Sequence, residues 1–248
     1  MKPVSIGAAW TDANQFIKRE AGLLFPLVLL FVAVPVALIF LSIPPEMRAM
    51  RMDQRGPQPQ LPGASLLLIL VCSLVVIGGT LSCYALAMKP NVSLAEALSH
   101  GFRRVPVALG AALIVGLGLG IPALLLTKLG GAAATTFMLV GAMLLSARLL
   151  LLNAVIVDRS VGPFKSLRAS WDASRGNFGR LLLFVIVMTI PIMLGQAVAE
   201  VILGLIGLAL GGPEAGRQAG DIGAAVALAI GQAYMIVMTV RIYRQLTG

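Results

Sequence analysis

Six stretches of the chain, at about 21–43, 63–88, 106–127, 131–157, 181–208 and 221–240, are each long and apolar enough to cross the ~30 Å hydrocarbon layer of a bilayer as a helix. Nothing else constrains the fold as strongly. A backbone in hydrocarbon must satisfy its own hydrogen bonds, which leaves helices or a closed barrel. Uninterrupted runs of this length, without period-2 alternation, specify helices. Across all 248 residues 58% are hydrophobic and 12% are charged, and the mean hydropathy is +0.95. Soluble domains carry roughly 25% charged residues. The expected fold is therefore all-α: one integral membrane domain over 1–248, a polytopic bundle of six transmembrane helices, with no length left for a separate soluble domain. Residues 21–43 read as an uncleaved first span, because Pro44, Pro45 and Glu46 follow it rather than a small-residue cleavage site. The proline-rich stretch from Pro44 to Pro62 reads as an irregular loop.

Charge distributes unevenly among the connections. With six spans, both termini and the 2/3 and 4/5 connections share one side, which holds thirteen of the 19 Lys and Arg residues. The positive-inside rule then places both termini in the cytoplasm of a multi-pass protein of a bacterial inner membrane. The net charge of +9 is mainly an inner-face charge. Its expected partner is membrane lipid, especially anionic lipid, with membrane-protein partners also open. Nucleic acid is a poor fit, since the cations are juxtamembrane and scattered. The sequence leaves the oligomeric state open.

Three short amphipathic stretches share a pattern: Ser5-Ile6-x-x-Ala9-Trp10, Ser93-Leu94-x-x-Ala97-Leu98 and Ser166-Leu167-x-x-Ser170-Trp171, each leading into a helical hairpin. They predict about three interfacial helices and a possible threefold repeat of helix plus hairpin, although the spacings of 88 and 73 residues are unequal. Ser93 and Glu96 form a capping box, and Pro163 takes the first helical position of the third segment. In that segment Phe164, Leu167 and Trp171 form one stripe and Lys165, Arg168, Asp172 and Arg175 another. The lipid-interface candidates are Trp10, Phe164, Lys165, Leu167, Arg168, Trp171 and Arg175. Pro35, Pro122 and Pro191 fall in the spans after each segment and predict kinks. Small residues four apart, at Ala112/Gly116/Gly120, Gly223/Ala227/Gly231 and Gly207/Gly211, predict close helix packing.

The intramembrane polar candidates within the apolar runs are Arg148, Asn153, Gln196, Glu200 and Gln232. Arg148 precedes Asp158 by ten residues, about 15 Å along a helix, where a charge needs a partner or water. Gln232 lies at similar depth, so an Arg148–Gln232 contact is expected, with Asn153 nearby. The group reads either as a polar path for an anion or lipid headgroup, or as a device that fixes helix packing. Glu200, near the opposite interface with Gln196 one turn away, is too isolated for a proton relay.

Catalytic, cofactor and metal chemistry find no footing. His100 is the sole histidine and has no Cys, Asp or Glu nearby to complete a zinc site. Cys72 and Cys83, eleven residues apart on one helix, sit about 16 Å apart and cannot pair. Gly116-x-Gly118-x-Gly120 lies inside a span with no strand before it, so it is no phosphate loop.

The stretch Gly162-Pro163-Phe164-Lys165-Ser166-Leu167-Arg168-Ala169-Ser170-Trp171, continuing through Arg175-Gly176-Asn177 to Leu181-Leu182, resembles a signature of the bacterial YciC-like inner-membrane proteins. The same signature occurs in the membrane domain attached to some glycerophosphodiester phosphodiesterases. There an amphipathic segment of the type ALxxSWxLTRGNxxRLL precedes a spanning hairpin. The chain departs from it at Asp172-Ala173-Ser174. The resemblance implies a helical bundle and no catalytic residue, because the phosphodiesterase chemistry belongs to an attached soluble barrel. The function expected is a non-enzymatic inner-membrane protein acting in lipid interaction or scaffolding at the cell envelope. The alternative is a transporter or channel for a small solute or lipid, with a polar path near Arg148.

Overall fold

A computed structural model describes residues 5–43, 61–89, 92–126 and 131–247. The expected loop from Pro44 to Pro62 lies almost wholly outside them. Within them every regular element is a helix. In chain order these are α1 (Ile6–Val28), a π-helical stretch (Leu29–Ala33), α2 (Val34–Ser42), α3 (Gly63–Met88), α4 (Leu94–Leu126), α5 (Gly131–Arg148), α6 (Leu152–Asp158), α7 (Pro163–Ala173) and α8 (Phe178–Thr247). Five helical units are long and apolar enough to cross a membrane: Ile6–Ser42, Gly63–Met88, Leu94–Leu126, Gly131–Asp158 and Phe178–Thr247.

The last of these, 70 residues long, is bent back on itself. Gly212 has φ +79° and ψ −170°, a conformation open in practice only to glycine, and Pro213 restarts the helix. The arms 178–211 and 213–247 then pack closely along their length. A Cβ at Gly207 would meet the Ala215 carbonyl at 2.5 Å, one at Gly223 the Ala199 carbonyl at 2.8 Å, and one at Gly231 the Ile192 side chain at 2.7 Å. Two of the three expected small-residue stripes thus serve packing within the chain. The third does not, because Gly116 and Gly120 have open space where a Cβ would stand. Gly212→Ala meets no neighbour, so its cost is backbone strain alone, and we expect it to destabilise the hairpin by about 1–3 kcal/mol in thermal unfolding in detergent.

The amphipathic segments differ from expectation in two of three cases. The first is continuous with α1 and the second with α4, so neither is a separate rod. Ser5 caps α1 by accepting from the Ala8 amide at 3.3 Å. The Ser93–Glu96 capping box forms as the spacing demands, with reciprocal bonds of 3.0 and 3.3 Å. No residue in a left-handed conformation follows either start, so the helix runs on into the apolar stretch. Only the third segment is detached, as α7, because the turn 174–177 contains Gly176 at φ +79°. The three segments therefore do not share one local structure. Pro35 follows the π-helical stretch Leu29–Ala33, which widens the helix where the proline removes a backbone donor. Pro122 and Pro191 sit inside continuous helices.

The core lies toward one end of the bundle. Buried side chains gather at Ala9, Ala13, Phe16 and Ile17 of α1, Leu81 to Ala87 of α3, Leu151 to Val157 around α6, and Ile236 to Tyr243 of α8. That same end is laced by polar bonds between helix termini. Ser5 and Gln245 bond reciprocally at 2.9 and 3.2 Å, Tyr243 donates to Asp158 at 2.7 Å, His100 meets the Val157 carbonyl at 2.9 Å, and Arg244 donates to the Met88 carbonyl. Toward the other end the helices keep their large apolar side chains outward, with Leu124 70% and Leu210 84% exposed. Such a surface suits contact with hydrocarbon, as the length and apolar character of the five helical units do.

Candidate functional site

Helix α7 divides into three sectors. Ser166, Ser170 and Ser174 are buried, and Ala169 and Ala173 are half-buried on the same side, so a face of small side chains lets the helix approach its neighbours closely. Pro163 is seated against Gly110 of α4, where a Cβ would lie 2.7 Å from the proline ring. The Ser166 hydroxyl donates to the Gly162 carbonyl at 3.1 Å, which supplies an acceptor for a buried hydroxyl. The next sector carries Leu167, Trp171 and Phe164, the last 69% exposed. The third carries Lys165, Arg168, Asp172 and Arg175, all exposed. Asp172 lies 4.0 Å from Arg168 and 3.4 Å from Arg175, solvent-exposed pairs that leave both cations available to other anions.

The small face docks where the α5–α6 helix is broken. Residues 149–151 interrupt the helical ladder, and the Ser170 hydroxyl donates to the freed Arg148 carbonyl at 3.1 Å. The Arg148 guanidinium lies 5.0 Å from the Trp171 ring centroid and 4.6 Å from that of Phe178, and donates to Ser174 Oγ at 3.4 Å. Two π faces and a hydroxyl thus receive the charge. The expected Arg148–Gln232 contact is not the one the fold makes. The helix breaks just after Arg148 and directs its side chain to α7. Trp171 correspondingly lies beneath the guanidinium, and is 40% exposed.

Trp10 is also anchored within the protein, stacked on Tyr234 with centroids 6.2 Å apart, and keeps 46% of its surface exposed. Asn153 and Gln232 do come together. They line a cavity of about 350 Å³ between α3, α4, the 149–153 segment and the 213–247 arm, with Thr80. Tyr84, buried, lies beside Asn153 and Thr239. Gln196 is half-buried on the 178–211 arm, and Glu200, exposed, lines a separate cleft with Arg217 and Asp221. Arg217 bridges Glu214 at 2.7 Å and Asp221 at 3.2 Å. Among the described residues no group of three His, Cys, Asp or Glu side chains is placed to hold a metal.

Sequence reasoning missed Ser170, Ser174, Phe178, Thr80 and Tyr84. A signal existed for the serines: 166, 170 and 174 are four apart, the helical spacing of a single face. For Thr80 and Tyr84 the surrounding run offers no pattern that separates them from ordinary span residues. Comparison of the chain with known protein families, with characterised proteins and with solved structures gives no match.

Proposed function

We propose that this chain is a non-enzymatic integral protein of a bacterial inner membrane, with six crossings and both termini cytoplasmic, that uses α7 as a docked platform for anionic lipid. The reversal at Gly212 supports counting Phe178–Thr247 as two crossings, and the gathering of chain ends and basic connections at one end of the bundle supports a common side for them. The single observation that carries the lipid reading is the disposition of α7. Its small face is spent on the protein and one face of Trp171 on Arg148, so Phe164 and the exposed part of Trp171 are left to enter the interface while Lys165, Arg168 and Arg175 face phosphates beside them. The resemblance of 162–182 to the YciC-like segment points the same way, toward an envelope role in lipid interaction or the scaffolding of membrane-protein partners. A transporter with a polar path at Arg148 has less support, since that guanidinium is already engaged by Trp171, Phe178 and Ser174.

Each basic residue near an anionic surface contributes about 1 kcal/mol. Lys165→Gln, Arg168→Gln and Arg175→Gln combined are expected to lower retention of phosphatidylglycerol or cardiolipin in native mass spectrometry by about tenfold or more, with Asp172 then unopposed. Neutral phosphatidylethanolamine is expected to stay at the wild-type level. Unchanged retention of anionic lipid in the triple variant removes the proposal.

A further inference from the structure

The cavity that holds Thr80, Asn153 and Gln232 has a chemistry of its own. We infer that it is a binding site for a single-chain neutral glycerolipid, whose hydroxyl and ester oxygens meet these three side chains while its hydrocarbon chain leaves between the helices.

Three observations converge on that ligand. The lining contains no Asp, Glu, Lys or Arg, so neither a phosphate nor an ammonium finds a counter-charge, and every polar side chain there is neutral. Thr80 is 8% exposed, and its hydroxyl oxygen is a buried atom without a hydrogen-bond partner among the described residues. A buried hydroxyl left unpaired is costly, and a ligand that pairs with it recovers that cost. The site is also deep: Thr80 precedes Lys89, and Gln232 precedes Arg241, by nine residues, about 13 Å along each helix. A charged headgroup at that depth would meet the penalty of burial in hydrocarbon, which a glycerol ester does not.

Size and access fit as well. The volume of about 350 Å³ is near the lower end of the roughly 300–1,000 Å³ of small-molecule pockets, which suits one head and the start of one chain. Ala112, on the cavity rim, is exposed beside Leu113 and Ile114 on the outward face of α4, so the rim adjoins surface that hydrocarbon covers. Arg148 does not intrude, because it is turned to α7 while Leu149 and Leu152 line the wall. The site does not depend on the lipid platform of α7.

The test uses the full-length protein in nanodiscs with a diazirine-bearing monooleoylglycerol, followed by peptide mapping. Labelling is expected on peptides carrying 76–81, 108–115, 149–153 or 232, and is expected to be displaced by unlabelled monooleoylglycerol but not by phosphatidylglycerol. Ala112→Trp fills the rim and should abolish this labelling. Gln232→Leu keeps the volume but removes one partner, and should weaken capture about three- to tenfold. The Lys165, Arg168 and Arg175 triple variant should label like the wild type. Labelling spread evenly over outward residues such as Leu124 and Leu139, equal displacement by phosphatidylglycerol, or labelling unchanged in Gln232→Leu each overturn the inference. If Ala112→Trp fails to fold, Gln232→Leu decides.

Discussion

Gly101→Val should unfold the bundle more readily than any other single substitution considered, by about 3 kcal/mol or more. A Cβ at Gly101 of α4 would stand 2.5 Å from the Ser82 amide nitrogen and 2.8 Å from its Cα, and backbone cannot swing aside as a side-chain tip can. The helices would have to part. The damage spreads because the same crossing seats the Phe102 ring against Gly78, holds the Phe102–Phe31 edge contact at 6.0 Å, and brings Phe31 over Gly79. An apparent Tm in detergent gives the readout, and Gly116→Val, with open space around its position, serves as the contrast. Equal melting of the two variants would show that this crossing does not limit stability.

Arg148→Leu is expected to release α7 without unfolding the rest. The substitution removes two cation–π contacts, each worth about 0.5–2 kcal/mol, and the charged donor to Ser174, for about 2–3 kcal/mol in all. Hydrogen exchange at amides 164–174 should accelerate by one to two orders of magnitude, while amides 236–243 at the buried end keep their protection. Arg148→Lys should rescue poorly, since an ammonium cannot lie flat against Trp171 and Phe178 together. Ser170→Ala, which leaves the Arg148 carbonyl without its donor, should give a smaller effect of the same kind, about 1 kcal/mol. If the 164–174 amides exchange at the wild-type rate in Arg148→Leu, the arginine is not what holds α7.

Helical class, the second span and the helix starts were legible because each rests on local rules. The run 63–88 coincides with α3, the Ser93–Glu96 box closes as its spacing requires, and Pro163 opens α7. Helix lengths were less legible. Lys18, Arg19 and Glu20 mark a change of solvent, not of conformation, so a polarity criterion begins the span at 21 while α1 begins at Ile6. The stretch 209–220 falls between the expected spans 181–208 and 221–240, yet Gly212 alone makes the reversal and the helix occupies the rest. At the candidate site, the outward residues of α7 were readable from periodicity, but the fate of Arg148 was not. Its partners are fixed by a break at 149–151, in a run of leucines that carries no local signal for one. Tertiary packing, with a serine hydroxyl ready to take the freed carbonyl, decides that break.

The clasp between Ser5 and Gln245 has a consequence for biosynthesis. Helix α1 finds its stacking partner Tyr234, its cation Arg241 and the Gln245 clasp only on the 213–247 arm. A ribosome working at about 5–20 residues per second needs roughly 10–40 s to reach that arm after the first helix emerges. Throughout that interval one side of α1 waits uncovered, and its packing closes only once the 213–247 arm has been made.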